Sequence, residues 1–188
     1  MKKLMFIVAA ALALCANAAR FNWEVDTIND PSSGNPSTGF LVYFFDANAS
    51  GTSISDANTA LASKDTTTIN TFLSKGYEAD DLTDGGWTMG STANTYGNSE
   101  TANGYLVVFN ADTVAGADYA FVSGTESGTT GPLGQAGSIS FGDLDDTATL
   151  SNWTAISGGG SGGGGVPEPT SGLLLVLGGA MLALRRRR

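Results

Sequence analysis

The sequence predicts an all-β protein, folded as a single small β-sandwich that is jelly-roll-like and carries one or two short helical inserts. Apolar and polar residues alternate over residues 21–26, continuous apolar runs occupy residues 40–45 and 105–109, and 26 glycines are spread over 188 residues. Alternation is typical of a half-buried strand, whereas a short apolar run bounded by turn residues favours a central strand covered on both faces. Gly-rich connections between short strands favour a sandwich, and the lack of a fixed-period repeat argues against a solenoid or a propeller.

The N-terminal residues predict a secretory signal peptide over residues 1–18. Two lysines precede an apolar run over residues 4–15, and the small residues Ala16 and Ala18 follow it. This order is what a signal peptidase recognises, so we expect cleavage between Ala18 and Ala19. The apolar run is shorter than the roughly 20 residues that span a bilayer, which makes an uncleaved anchor the weaker alternative.

Between this signal and a C-terminal linker, residues 19–157 form the predicted passenger domain. Residues 65–76 predict a helix, because Asp65 can cap it, the apolar residues fall at helical spacing, Lys75 would lie in its last turn and Gly76 would follow its C-terminus. A second helix is predicted over residues 55–63, with Asp56 in its first turn. Further strands are predicted over residues 119–123, 138–141, 147–150 and 152–156.

The composition excludes several function classes. The chain has no histidine, which excludes Ser/His/Asp and Cys/His catalysis and histidine-ligated metals. Its single cysteine lies in the predicted signal peptide, so the mature chain has no disulfide. Residues 20–165 hold 17 carboxylates and three basic side chains, a formal charge of about −14, which argues against nucleic acid.

Two groups of carboxylates on Gly-rich loops are weak candidate calcium ligands. Ca²⁺ takes six to eight oxygen ligands at flexible geometry, but neither group has EF-hand spacing and solvated acidic loops are the commoner case. We therefore expect no cofactor other than a possible Ca²⁺. No pair of carboxylates is singled out as a glycosidase pair, so we expect no enzymatic activity. The candidate ligands are Asp80, Asp81 and Asp84 in one group, and Asp143, Asp145 and Asp146 in the other.

The tryptophans raise the alternative of a sugar-binding surface. Trp23, Trp87 and Trp153, with several tyrosines, could form a platform on which sugar rings stack. Aromatic residues in a β-sandwich more often belong to the core. Two or more coplanar rings on one open face would favour the sugar-binding alternative, and three buried tryptophans would remove its main support.

The C-terminal region consists of a spacer, a proline motif, an apolar segment and a basic end. Residues 158–165 predict a Gly/Ser linker, and residues 172–184 are 13 apolar or small residues. That segment would span about 20 Å as a helix against a hydrocarbon core of about 30 Å, and flanking arginines extend its reach by snorkelling. We therefore expect a single transmembrane helix with the passenger outside, since basic ends stay in the cytoplasm. The basic, stop-transfer end is Arg185, Arg186, Arg187 and Arg188.

These residues carry a family resemblance. The motif Val166, Pro167, Glu168 and Pro169, followed by a short apolar segment and terminal arginines, resembles the PEP-CTERM sorting signal of Gram-negative-type bacteria that make exopolysaccharide. The resemblance covers residues 166–188 only, and the same tail is also named after the C-terminal domain of ice-binding proteins. It implies recognition of the proline motif by an exosortase in the inner membrane, cleavage near that motif and transfer of the passenger toward the cell surface. Two prolines keep such a motif extended and accessible.

Two functions from different classes follow from these patterns. The first is an exported, non-enzymatic protein of the cell envelope or extracellular matrix, held in the inner membrane and then displayed or released after exosortase cleavage. Its partners would be signal peptidase and exosortase during export, with exopolysaccharide as a further candidate. The alternative is a secreted carbohydrate-binding module for the matrix exopolysaccharide. Ice binding is a weaker possibility, because the sustained Thr-x-Thr repeat of a flat ice-binding face is lacking.

Overall fold

A computed structural model of the chain describes residues 18–93 and 95–157. This part is mostly β-strand with only two short α-helices, which confirms the predicted all-β class. The helices are α1 (Ile54–Ala62) and α2 (Thr66–Leu73). The strands are β1 (Phe21–Val25), β2 (Thr27–Ile28), β3 (Leu41–Asp46), β4 (Tyr77–Glu78), β5 (Thr88–Ser91), β6 (Thr101–Phe109), β7 (Tyr119–Val122), β8 (Glu126–Thr129), β9 (Gly137–Ser140), β10 (Asp143–Leu144) and β11 (Thr154–Ala155).

The strands form two main sheets. The larger sheet has the order β11-β7-β6-β3-β4, with β8 pairing β6 outside this path. The smaller sheet has the order β5-β1-β9, in which β1 runs antiparallel to β5 and parallel to β9. A short parallel pair, β2 with β10, accompanies them.

The central strands β3 and β6 are covered on both faces, as their continuous apolar sequences predict. On β3, Val42 and Phe44 join a core cluster with Phe21 and Trp23 of β1. The alternate residues, including Phe45, join a second cluster with side chains of α1 and α2. The smaller sheet therefore shares a core with one face of the larger sheet, and the two helices pack on the other face.

The predicted helices are confirmed, but the predicted end of α2 is wrong. Asp65 caps α2 by accepting a hydrogen bond from the Thr68 backbone N–H at 2.8 Å. The helix ends at Leu73 with Ser74 as its C-cap, so Lys75 and Gly76 lie beyond it. A Cβ at Gly76 would lie 2.6 Å from the Phe45 ring, so glycine is required there by close packing.

The strand predicted over residues 147–150 is also wrong. This segment forms two 3-10 turns, Asp145–Ala148 and Leu150–Asn152. The hydroxyl of Thr147, which is fully buried, donates to the Leu144 carbonyl at 2.6 Å and accepts from the Asn29 N–H at 2.7 Å. These bonds satisfy buried polar groups by a local turn in place of a sheet ladder. The strand predicted over residues 152–156 is shorter in the structure, where it is β11.

No helix among the described residues has both the length and the apolar character needed to cross a membrane. The transmembrane helix predicted over residues 172–184 lies outside the described residues, as do the linker, the sorting motif and residues 1–17 of the signal peptide.

Candidate functional site

A tight hairpin over residues 80–91 builds the most distinctive surface feature of the described chain. Asp84 and Trp87 exchange backbone hydrogen bonds of 3.0 and 3.2 Å across Gly85 and Gly86. Both glycines have positive φ, 58° and 87°, which is the conformation required by a two-residue type I′ turn. Other residues rarely adopt this conformation, so the Asp-Gly-Gly-Trp sequence determines where the hairpin turns.

Buried threonines, rather than large apolar residues, hold this hairpin in place: Thr83 bonds it to the rest of the domain, and Thr88 bonds its two arms together. Thr83 is 2% exposed, and its hydroxyl accepts the Phe40 N–H at 2.9 Å. Thr88 is also buried, and its hydroxyl donates to the Asp81 carbonyl at 2.7 Å. The turn itself is held by the Ile28 N–H, which donates to the Gly86 carbonyl at 3.0 Å. Backbone and hydroxyl hydrogen bonds therefore fix the position of the hairpin.

The outer side of the hairpin is an open cleft of about 420 Å³ that is both apolar and acidic. Leu82, Trp87 and Met89 line it and are 42%, 44% and 44% exposed. The carboxylates of the first predicted calcium group lie in the same lining, and the lining includes no lysine or arginine. The acidic residues of the cleft are Asp80, Asp81 and Asp84.

Sequence reasoning identified the acidic residues of this cleft but missed Leu82 and Met89. The signal lies in strand β5, where residues alternate in the order buried threonine, exposed methionine, buried glycine. The alternation with a period of two is visible in the sequence. In most half-buried strands the apolar residues face inward, but here the threonine and the glycine do so and the methionine faces the solvent. This side faces inward because Thr88 donates to the Asp81 carbonyl and because Gly90 packs so closely on Trp23 that a Cβ would lie 2.6 Å from its ring.

The described carboxylates do not form an evident metal site. Among residues 18–93 and 95–157, no three His, Cys, Asp or Glu side chains form a group that could hold a metal ion. In the second predicted group, Asp143 lies in β10, whereas Asp145 and Asp146 lie in the following 3-10 turn. The calcium hypothesis therefore rests on proximity in the sequence alone.

Two of the three tryptophans belong to the core. Trp23 is 1% exposed and stacks on Phe44, with the ring centroids 5.8 Å apart. Trp153 is 6% exposed, and its indole N–H donates to the Thr147 carbonyl at 2.8 Å. Trp87 is exposed in the cleft. The three tryptophans therefore do not form a common stacking platform.

The predicted signal-peptidase site falls at the beginning of the folded domain. Ala18 is exposed, whereas Ala19 is 1% exposed. The Ala19 N–H donates to the Tyr96 carbonyl at 2.8 Å, and the Tyr96 N–H donates to the Ala19 carbonyl at 3.1 Å. Ala16 lies outside the described residues, as do the sorting motif Val166 to Pro169 and the terminal arginines.

Comparison of the chain with models of protein families, with curated proteins and with solved structures finds no match.

Proposed function

We propose that this chain is an exported, non-enzymatic protein of the cell envelope or extracellular matrix, sorted through a PEP-CTERM tail by an exosortase. The observation that carries this proposal is the order of segments: a signal peptide over residues 1–18, an acidic domain, a Gly/Ser linker and the tail at residues 166–188. The passenger lies outside the inner membrane before processing and at the cell surface or in the medium afterwards.

The pairing of the described residues is compatible with this division of the chain. Among them, Ala19, which follows the predicted cleavage, is the first that pairs with another segment, through its bridge to Tyr96. At the other end, the last strand stops at Ala155, just before the Gly/Ser linker that begins at residue 158.

We interpret the passenger as a β-sandwich of the jelly-roll-like kind. The core cluster shared by β1 and β9 with β3 and β6 supports two sheets packed face to face. The helices α1 and α2 add a third layer on the outer face of the larger sheet, which a simple two-sheet jelly roll lacks.

The carbohydrate-binding alternative has weaker support. A sugar platform needs several exposed rings on one face, and two of the three tryptophans are buried in the core. We therefore prefer the envelope protein, for which neither an enzymatic group nor a cofactor is proposed.

The intact mass of the protein recovered from envelope and medium fractions of its host tests the sorting route. The expected mature form begins at Ala19, lacks the arginine tail and disappears when Pro167, Glu168 and Pro169 are replaced by alanine. A Pro132→Ala variant, which changes an exposed proline of the passenger, should be processed normally. Survival of the tail to the last arginine in both the parent and the triple variant would refute processing and would indicate a permanent inner-membrane anchor.

A further inference from the structure

Exposed apolar side chains are concentrated in the cleft of the 80–91 hairpin. Three of the five large apolar residues exposed in the described part of the chain line this one cleft. Single exposed apolar residues are ordinary, whereas three that line one cleft beside carboxylates form a candidate interaction surface. The five residues are Leu82, Trp87, Met89, Leu133 and Leu150.

The fold does not require these three apolar side chains. None of them belongs to either core cluster. The hairpin is attached to the domain by Thr83, whose hydroxyl accepts from the Phe40 N–H, and by the pairing of β5 with β1. The cleft is therefore preformed, and a partner would not have to order it on binding.

The negative charge of the cleft favours a positively charged partner. Asp80, Asp81 and Asp84 are exposed in the lining, to which the described part of the chain contributes no lysine or arginine. The whole passenger segment carries about −14, which repels anionic ligands over distances of a Debye length. Trp87 adds to this selection, because tryptophan is the best aromatic partner for a lysine or arginine side chain.

The apolar residues of the cleft favour a partner that also carries aliphatic side chains. Sugar hydroxyls placed against Leu82 and Met89 would lose water without gaining hydrogen bonds there, which is unfavourable. Aliphatic side chains gain from the same contact. Tryptophan and methionine are moreover enriched at protein interfaces, where charged groups lie at the rim.

We propose that this cleft docks a short segment of a partner protein in which lysine or arginine alternates with aliphatic residues. The aliphatic side chains pack against Leu82, Trp87 and Met89, and the cationic groups lie beside the three carboxylates. The proposal is independent of the sorting route, since it concerns residues of the passenger alone.

The test measures binding of a seven-residue blocked peptide of alternating lysine and leucine to the full chain in a non-ionic detergent. The chain has three tryptophans, of which Trp23 and Trp153 are buried, so a blue shift of emission on binding reports on Trp87. We expect saturable binding that weakens about tenfold between 0.01 M and 0.1 M salt, since screening shortens the Debye length from about 30 to about 10 Å. A peptide with glutamate in place of lysine should not bind.

Matched variants separate the cleft from general acidity and general hydrophobicity. Anisotropy of a labelled lysine-leucine peptide should show at least a tenfold loss of affinity for Trp87→Ala and a smaller loss for Leu82→Ala, as for central contacts of an interface. Leu150→Ala, at 44% exposure outside the cleft, should change affinity less than twofold. Replacing all three cleft aspartates by asparagine should weaken binding at least tenfold. The same change at Asp143, Asp145 and Asp146, which removes equal charge elsewhere, should weaken it less than threefold.

Because all of the substituted side chains are exposed, we expect every variant to fold. Thermal unfolding of each variant checks this. The proposal is overturned if Trp87→Ala and Leu82→Ala bind like the parent, or if both aspartate triplets have equal effects. It is also overturned if the glutamate peptide binds as well as the lysine peptide. Binding of a glucosamine oligomer in preference to the peptide would overturn it in favour of a cationic polysaccharide.

Discussion

Gly104 is the position at which the addition of one methyl group should be most informative about the core. It lies in β6, opposite Asp46 of β3 and Glu126 of β8. A Cβ at this position would lie 2.5 Å from Phe44 Cζ and closer still to Phe44 Cε2. Carbon atoms in favourable contact are about 3.5–4.0 Å apart, so Gly104→Ala requires a displacement of about 1 Å or more.

The Phe44 ring has little room to make that displacement. It is fully buried, and its centroid lies 5.8 Å from Trp23 and 6.2 Å from Phe141. Overpacking of a core costs about 1–3 kcal/mol, and the lower entropy of an unfolded alanine offsets about 0.4–1 kcal/mol. We expect Gly104→Ala to lower the free energy of unfolding by about 1–2 kcal/mol, which corresponds to a Tm lower by roughly 4–8 °C in a domain of this size.

Urea unfolding and thermal unfolding followed by circular dichroism measure this effect. Gly124→Ala is the matched control, because a Cβ at Gly124 has no neighbouring atom within 4 Å. Its stability should be unchanged or slightly raised. In a Phe44→Leu background, Gly104→Ala should cost at least about 1 kcal/mol less, since adjacent sites are coupled. A Gly104→Ala variant as stable as Gly124→Ala would show that the proposed packing of Phe44 against β6 is incorrect.

Three further predictions concern other parts of the domain. Thr147→Val should cost about 1–3 kcal/mol, because it leaves the Asn29 N–H unpaired, whereas Thr71→Val on the exposed side of α2 should cost far less in the same urea titration. Burial raises the pKa of Tyr105 above its ordinary value near 10, so the unfolded tyrosine ionises first and Tyr105 should contribute up to about 1.4 kcal/mol per pH unit to the loss of stability above pH 10. Tyr105→Phe should reduce that slope, and an unchanged slope would refute the assignment. Signal peptidase should not cut the predicted bond between Ala18 and Ala19 in the folded precursor, because Ala19 is 1% exposed. It should cut that bond once the precursor has been unfolded with urea, and mass spectrometry of the products distinguishes the two outcomes.

The parts of the fold that could be predicted are those in which local sequence and tertiary burial agree. β1 alternates in sequence and alternates in burial, and its inward residues Phe21, Trp23 and Val25 are all in the core. The two helices have side-chain caps, Ser53 for α1 and Asp65 for α2, which are visible in the sequence as hydrogen-bonding residues before an apolar stripe.

The parts that could not be predicted depend on contacts between distant segments. β8 is polar, with the sequence Glu-Ser-Gly-Thr, and pairs with β6 where Gly128 approaches β9 closely. No local sequence pattern predicts such a strand, because its stability comes from the neighbouring strands. Thr147 has a strand-forming residue type, yet its hydroxyl closes a turn onto Leu144 and accepts from Asn29, which is more than a hundred residues away in the sequence.

The same dependence on distant contacts explains why the candidate site was only half visible in the sequence. The aspartates before Gly85 are easily recognised in the sequence as an acidic cluster. Whether they belong to a binding surface depends on which neighbouring side chains face outward with them. Because Thr83 and Thr88 face inward to bond with Phe40 and Asp81, the apolar Leu82, Trp87 and Met89 must face the solvent.

Such an arrangement inverts the usual preference of a half-buried hairpin, in which apolar residues face the core and threonines face water. Exposing three large apolar side chains lowers solubility, and the adjacent carboxylates counteract self-association by their common charge. On the inward side of β5 a large apolar residue could not replace Gly90, because even a Cβ there would lie 2.6 Å from the Trp23 ring. The exposed apolar residues and the carboxylates beside them therefore support the proposed surface at residues 80–89, which would receive apolar and cationic groups from another molecule.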